Sequence, residues 1–429
     1  MLFICSLNLR VGISITLPSL FNPVLIAGCL IILTGFSIRA SFGVFQIPIE
    51  EEFGWLRVEF SLAIAIQNLA WGIGAPIFGA IAEKIGDRKS IIIGALFYSL
   101  GLVLTAGATT SIEYQIYEVL VGFGIAGTGF GVVLAVVGRA SAPEHRSMSL
   151  AITTAAGSLG QVIGPIAAVA LLSRVSVQTV FLIFAASILT TLFLLPLMKS
   201  PVAASKEQLE ESMGDILKLA FKDPSFSMVF IGFFSCGYQL AFITAHFPAL
   251  VTEMSSPIDP SGWCGDLGIE TTAALGGFSI SVIGFANILG TLLAGWAGKR
   301  YPRKWILSGI YAGRSIAAIW FILSPITPNT ILIFSFAMGF LWLATVPLTS
   351  GLIAHIYGLK YMATLYGIVF FSHQLGSFTG VYLGGVLYDM YGSYNFVWWV
   401  GIGAGIVSAL IHLPIREESR LKNINEAYH

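Results

Sequence analysis

Residues 79–90 read GAIAEKIGDRKS and residues 295–305 read GWAGKRYPRKW, each charged stretch closing an apolar run. Pairing Gly79 with Gly295 gives an offset of 216 residues. A second pair, GSLGQVIGP (157–165) and GSFTGVYLGG (376–385), aligns Gly160 with Gly380 at an offset of 220. One register therefore relates the two parts of the chain, and that is the mark of an internal duplication. Between them, residues 199–225 (KSPVAASKEQLEESMGDILKLAFKDPS) interrupt the hydropathy with charge and a short amphipathic pattern.

Crossing a ~30 Å hydrocarbon layer takes about 20 apolar residues at 1.5 Å each. Runs of that length lie near 22–46, 58–82, 90–108, 112–138, 148–172, 178–198, 226–252, 272–297, 304–323, 330–356, 362–388 and 394–414. The expected fold is thus an all-α membrane protein of twelve spans in two six-span halves, 21–198 and 226–415. They flank a central loop (199–225), with a leader (1–20) and a tail (416–429) outside them. The first span is too long, and too polar in its second half, for a cleavable signal peptide.

Composition agrees. Of 429 residues, 56% are hydrophobic and 10% charged, against about 25% charged in soluble domains. The 22 Lys and Arg balance 22 Asp and Glu, which gives no basic footprint for nucleic acid. Cys5, Cys29, Cys236 and Cys264 form no CxxC pair, so neither a zinc site nor a disulfide framework is expected. Positive charges concentrate in alternate loops, at Lys84, Arg88 and Lys89, at Arg139 and Arg146, at Lys199, Lys206, Lys218 and Lys222, at Lys299, Arg300, Arg303 and Lys304, at Lys360, and at Arg416, Arg420 and Lys422. The opposite loops hold Arg57 and Arg174. The positive-inside rule places both termini in the cytoplasm, and a multi-pass protein of the cell's inner (plasma) membrane is expected.

Gly79 to Lys89 resembles the loop between helices 2 and 3 of the major facilitator superfamily (G-x-L-A-D-x-x-G-R-R), and 295–304 resembles a weaker copy. The resemblance runs from about residue 22 to 415. It implies two halves rocking about a central site, with Gly79, Gly86, Asp87, Arg88 and Lys89 as a conformational-switch loop; the bland alternative is a solvated positive loop. RSMSLAITTAAGSLG (Arg146–Gly160) looks like the signature of the monocarboxylate porters (R-x-x-A-x-G-x-A-x-A-G-x-x-x-G). TGFSIRASFGVF (34–45) and GGVLYDMYGSY (384–394) are similar to bacterial members of that group and to the oxalate/formate antiporters. Porters of this group commonly carry an acidic residue and an arginine in helix 8, where this chain has Asn287 and Thr291.

Charges inside a membrane call for an explanation. Arg39 and Glu118 fall at matching depths of about 9–11 Å in spans 1 and 4. In the resembled fold both spans line the cavity, so Arg39 is expected to pair with Glu118 and to meet a substrate carboxylate. Displacement of Glu118 by the anion would favour its protonation and so couple anion to proton; a static ion pair is the alternative. His373 and His246 are further proton-coupling candidates, or satisfied interhelical histidines. Arg314, in a peripheral span, is read as structural, reaching backbone carbonyls or an acidic neighbour. Polar candidates for substrate contact are Tyr238, Asn287, Thr291, Gln374 and His373 with Arg39; Gln67, Asn68, Thr128, Gln161 and Gln239 also belong to cavity spans. Each is equally readable as interhelical glue. Phe42, Phe45, Phe370 and Phe371 are available as an apolar wall.

The glycine-rich run at 122–131 follows no strand and precedes no Walker lysine, so it is not a phosphate loop. HExxH and GxSxG motifs are also missing. The chain is therefore expected to be no enzyme and to need no cofactor, drawing on a gradient or on exchange. The expected function is secondary transport of small organic anions of the monocarboxylate type by a monomer in the lipid bilayer, with protons as a candidate partner. The competing readings are an exporter of amphipathic compounds or carrier of neutral solutes, and a non-transporting membrane receptor.

Overall fold

The computed structural model describes residues 22–142, 145–198, 206–259, 261–358 and 362–420. The leader (1–20), Lys199, Lys360 and Lys422 lie outside them. Twelve long helices carry the chain back and forth. They are α1 (Pro23–Phe53), α2 (Arg57–Ile85), α3 (Asp87–Ala106), α4 (Ser111–Ala140), α5 (Arg146–Leu172), α6 (Val177–Leu197), α7 (Pro224–Met254), α8 (Thr272–Ala297), α9 (Arg303–Leu323), α10 (Pro328–Tyr357), α11 (Met362–Tyr391) and α12 (Asn395–His412). A separate helix, Lys206–Lys222, lies in the central segment. Eleven of the twelve are long and apolar enough to cross a membrane. The other, α11, has the length at 30 residues but carries Ser372, His373, Gln374 and Ser377 at its middle.

Local chemistry sets the boundaries. Helix starts are capped by side chains that accept from exposed backbone N–H groups: Asn22 from Leu25, Thr110 from Glu113, Ser176 from Thr179, Asp223 from Ser225, Thr271 from Ala274 and Thr327 from Thr330. Three of these caps precede Pro23, Pro224 and Pro328, whose missing N–H is no loss in a first turn. The turns into α2 and α12 pass through Gly54 (φ +67°) and Gly392 (φ +61°), where a side chain would be strained.

The repeated glycines explain themselves in the packing. A methyl group on Gly160 would stand 2.5 Å from the Leu33 carbonyl oxygen of α1, and one on Gly380 2.5 Å from the Tyr238 carbonyl oxygen of α7. The two repeats thus bring α5 against α1 in one half and α11 against α7 in the other by the same small-residue approach. The halves meet along α2 with α11 and α5 with α8. Both pairs run antiparallel: Ser61 faces Gly385, Gly72 faces Gln374 and Pro76 faces Gly367, while Ala151 faces Gly295 and Ser158 faces Gly284.

Four helices depart from regular α geometry, α6 among them because its last stretch, Thr191–Leu197, is 3₁₀. α1 passes through a 3₁₀ turn at Phe42–Phe45 and runs on to Phe53, beyond the expected end at 46. α4 breaks at Gly129, and α10 unwinds at residues 341–344. Those two breaks sit at equivalent places in the duplicated halves.

Candidate functional site

Arg39 projects from α1 toward the seam between the halves. Its Nη2 donates to Asn68 Oδ1 of α2 (3.2 Å), and its Cζ lies 4.9 Å from the centroid of the Trp71 ring. Its Nε has no hydrogen-bond partner, and the side chain keeps part of its surface accessible. Trp71 in turn touches the other half, its ring centroid 4.8 Å from that of Phe370. Phe370 stacks on His373 (5.0 Å, 12° between planes), which also lies 4.9 Å from Phe233 of α7. Trp71 and Phe370 thus connect Arg39 to His373 through stacked rings. Gln374, fully buried, packs its stem against Gly72 of α2. The seam thus holds one guanidinium with a spare donor, an apolar aromatic wall from both halves, and an imidazole. Phe371 is half-buried on the same helix, whereas Phe42 and Phe45 turn into α6, against Phe181 and Phe184.

The expected Arg39–Glu118 ion pair does not form. Glu118 is fully buried and accepts from Gln67 Nε2 of α2 (2.6 Å) and Thr105 Oγ1 of α3 (3.3 Å). The two side chains do end at neighbouring positions of α2, since Arg39 bonds Asn68 and Glu118 bonds Gln67. Consecutive helix residues project about 100° apart, however, so Glu118 faces the packing of α2 against α3 and α4 while Arg39 faces the seam.

Three other expected contacts are committed to structure. Tyr238 donates its hydroxyl to the Val397 carbonyl (3.0 Å), facing α12 inside its own half. Asn287 Oδ1 accepts from Thr291 Oγ1 (3.0 Å) and from the Leu343 N–H (2.8 Å), and its Nδ2 donates to Ser158 Oγ of α5 (2.8 Å). Asn287 and Thr291 are both wholly buried, and together they tie the unwound part of α10 to the opposite half. Arg314 completes that break, donating from Nε and Nη2 to the Leu341 carbonyl (3.0 and 2.7 Å) and from Nη2 to the Trp342 carbonyl. Backbone carbonyls, one of the two partners expected for it, are what it holds.

His246 is likewise spent. Its Nε2 sits 2.8 Å from the Val381 carbonyl, which needs an N–H there, so Nδ1 accepts from the Tyr394 hydroxyl at 3.3 Å. Tyr394 leads to a cluster that sequence reasoning missed. Arg57, at the start of α2, donates from Nη1 and Nη2 to the two oxygens of Glu253 (2.9 and 2.6 Å) at the end of α7. It also donates from Nε and Nη2 to Glu50 of α1 (3.3 and 3.1 Å), donates to Tyr394 (3.1 Å), and lies 4.0 Å from the Tyr388 ring centroid. Arg57 and Glu253 are 196 residues apart, and the one available signal was an arginine close behind Glu50-Glu51-Glu52.

At the opposite end, the loop between α2 and α3 is anchored inside the first half. Gly86 (φ +106°) separates the helices; Asp87 pairs with Arg139 of α4 at 2.5 Å. Arg88 donates to the Pro196 and Met198 carbonyls at the end of α6, both at 3.0 Å. Lys89 is exposed, and Gly79 is buried in α2. Contact with the other half comes from Glu83, which accepts from Thr364 of α11 (2.9 Å).

The Major Facilitator Superfamily description matches residues 27–265 and 265–427. An uncharacterized MFS-type transporter, YcxA of Bacillus subtilis, is 27% identical over 91% of this chain and 94% of its own. Monocarboxylate transporter 13 of Rattus norvegicus is 24% identical over 88% of this chain and 86% of its own. A crystal structure of a D-xylose–proton symporter superposes with a TM-score of 0.66 at 14% identity, covering 92% of this chain and 98% of that one, which bears on the fold. With twelve helices in two related halves, a seam lined from both sides, and family matches spanning nearly its whole length, the chain belongs to the Major Facilitator Superfamily and is a membrane transporter, not an enzyme.

Proposed function

We propose that this transporter carries small organic anions of the monocarboxylate type by secondary transport, exposing the Arg39 seam alternately to either side of the cell's inner membrane with both termini cytoplasmic. The observation that carries the reading is Arg39 itself: a cation at the seam, stacked on Trp71, with its buried Nε unpaired and another part of the side chain still accessible. A guanidinium held in a low-dielectric, aromatic-lined place is suited to a carboxylate through paired N–H donors. Trp71 and Phe370 give a short acyl chain an apolar wall from both halves. The name of the rat relative supports the same substrate class.

For proton coupling, His373 is the strongest of the three candidates because it shares the surroundings of Arg39. Glu118 acts through α2, by way of Gln67 and Asn68, and not by trading places with the anion at Arg39. His246 belongs to the Arg57 cluster. The Asp87 loop, fixed to Arg139, acts as a rigid handle on the first half, and Glu83 transmits its position to α11.

The test is uptake into proteoliposomes of a labelled panel (lactate, pyruvate, formate, oxalate and a neutral sugar) with and without an inward proton gradient. Uptake of a monocarboxylate that rises with the gradient supports the reading. Uptake of the sugar alone, or of no anion under any gradient, refutes it.

A further inference from the structure

Arg57 holds two carboxylates that belong to different halves. Glu50 lies on α1, in the half of Arg57 itself, whereas Glu253 ends α7 in the other half. The Arg57–Glu253 contact is two-pronged, guanidinium fork to carboxylate fork, the strongest geometry available to such a pair. It stands at one mouth of the seam, reinforced by the Val58 N–H of α2, which donates to Asp389 Oδ2 of α11 (2.8 Å).

Arg57 is buried and Glu253 is partly open to solvent, and separating a buried charge from its partner ordinarily strands it, which makes such a pair a poor moving part. Here each charge has a second partner on its own side. If the halves part, Arg57 keeps both oxygens of Glu50, and Glu253 keeps the Tyr388 hydroxyl of α11, which donates to its Oε2 at 2.8 Å. The geometry points to Arg57 and Glu253 as a reversible latch closing this mouth of the transport path, with Glu50 as the retaining partner that lets Arg57 release Glu253 without being stranded. This goes beyond the substrate reading, since it concerns how the path opens and holds whatever solute is carried.

The two glutamates consequently act in opposite directions. Removing the charge of Glu253 deletes the cross-half bond and opens the mouth more often. Removing the charge of Glu50 takes away the fallback, so Arg57 clings to Glu253 and the mouth opens less. Ser61, fully buried one turn below Arg57 and facing Gly385 of α11, is the place to read this.

The experiment is the rate at which a bulky, charged maleimide labels Ser61→Cys in the purified full-length protein, above the labelling of the parent chain with its native cysteines. Glu253→Gln is expected to raise that rate by roughly three- to tenfold and Glu50→Gln to lower it. Asp389→Asn, a milder change, is expected to raise it by a smaller factor. Equal rates in parent and Glu253→Gln overturn the latch. Rates moved the same way by Glu253→Gln and Glu50→Gln overturn the retaining role of Glu50, because a merely loosened loop would respond alike to both.

Discussion

Replacing Asn287 by leucine separates a tie from a ligand. Its amide holds three groups at 3.0 Å or less, the Thr291 hydroxyl, the Leu343 N–H in the unwound part of α10 and the Ser158 hydroxyl across the seam, with Gln161 Oε1 farther off at 3.5 Å. Interhelical hydrogen bonds in membrane proteins average about 0.6 kcal/mol each, so the three together contribute roughly 2 kcal/mol. The hydroxyls can turn to backbone carbonyls of their own helices, but the Leu343 N–H loses its partner in a fully buried place, which adds about 1–3 kcal/mol. Asn287→Leu should therefore destabilise the fold by about 3–5 kcal/mol. Asn287→Asp keeps the acceptor for Leu343 and should recover part of that. The assay is thermal unfolding of the purified protein in detergent, followed by tryptophan fluorescence, beside equilibrium binding of the transported solute. A variant as stable as the parent but with weakened binding would refute the argument and return Asn287 to the substrate site.

Arg314→Met leaves the Leu341 and Trp342 carbonyls without their donor and should lower the unfolding temperature, with Arg314→Lys restoring a fraction of the loss, since one ammonium cannot reproduce the fork. Gly376→Ala should destabilise by about 1–3 kcal/mol, because the new methyl meets the Phe234 carbonyl of α7, which has no room to yield; Gly403→Ala, with nothing near it, should not, and the same unfolding scan compares them. At the start of α7, burial pushes the Asp223 carboxyl up, but Arg420, the Ser225 N–H and Tyr357 outweigh it and hold it below the usual range. A carboxyl lowered in the folded state stabilises above its unfolded value of about 3.9 and loses that contribution as pH falls through its folded value. Asp223→Asn should accordingly lower the unfolding temperature at neutral pH, and the gap to the parent should close below about pH 4.

The duplication was legible in the sequence because Gly160 and Gly380 do the same packing job in each half, and such jobs constrain residue type at fixed spacing. The limits of α1 were not, since QIPIEEEF at 46–53 ends the apolar run while still completing the helix. Polar residues inside apolar helices were readable as important but not as to purpose: Arg39 and Asn287 look alike in a hydropathy scan, yet one keeps an unused donor and the other has none to spare. What separates them is the direction each side chain takes around its helix and what the neighbouring helix offers there. The same holds for Glu118, which the fold brings level with Arg39 beside Gln67 and Asn68 but turns to a different face of α2. Arg57 and Glu253 were invisible as a pair because charges near helix ends are ordinary and only the folded chain brings these two together.

The account rests most heavily on Arg39 as the group that meets the solute's carboxylate. Its direct test is equilibrium binding of a labelled monocarboxylate to the purified parent protein and to Arg39→Gln, with unfolding temperatures measured on the same samples. The account predicts binding to the parent and its loss in Arg39→Gln at an unfolding temperature close to that of the parent. Equal binding by the two proteins would contradict it.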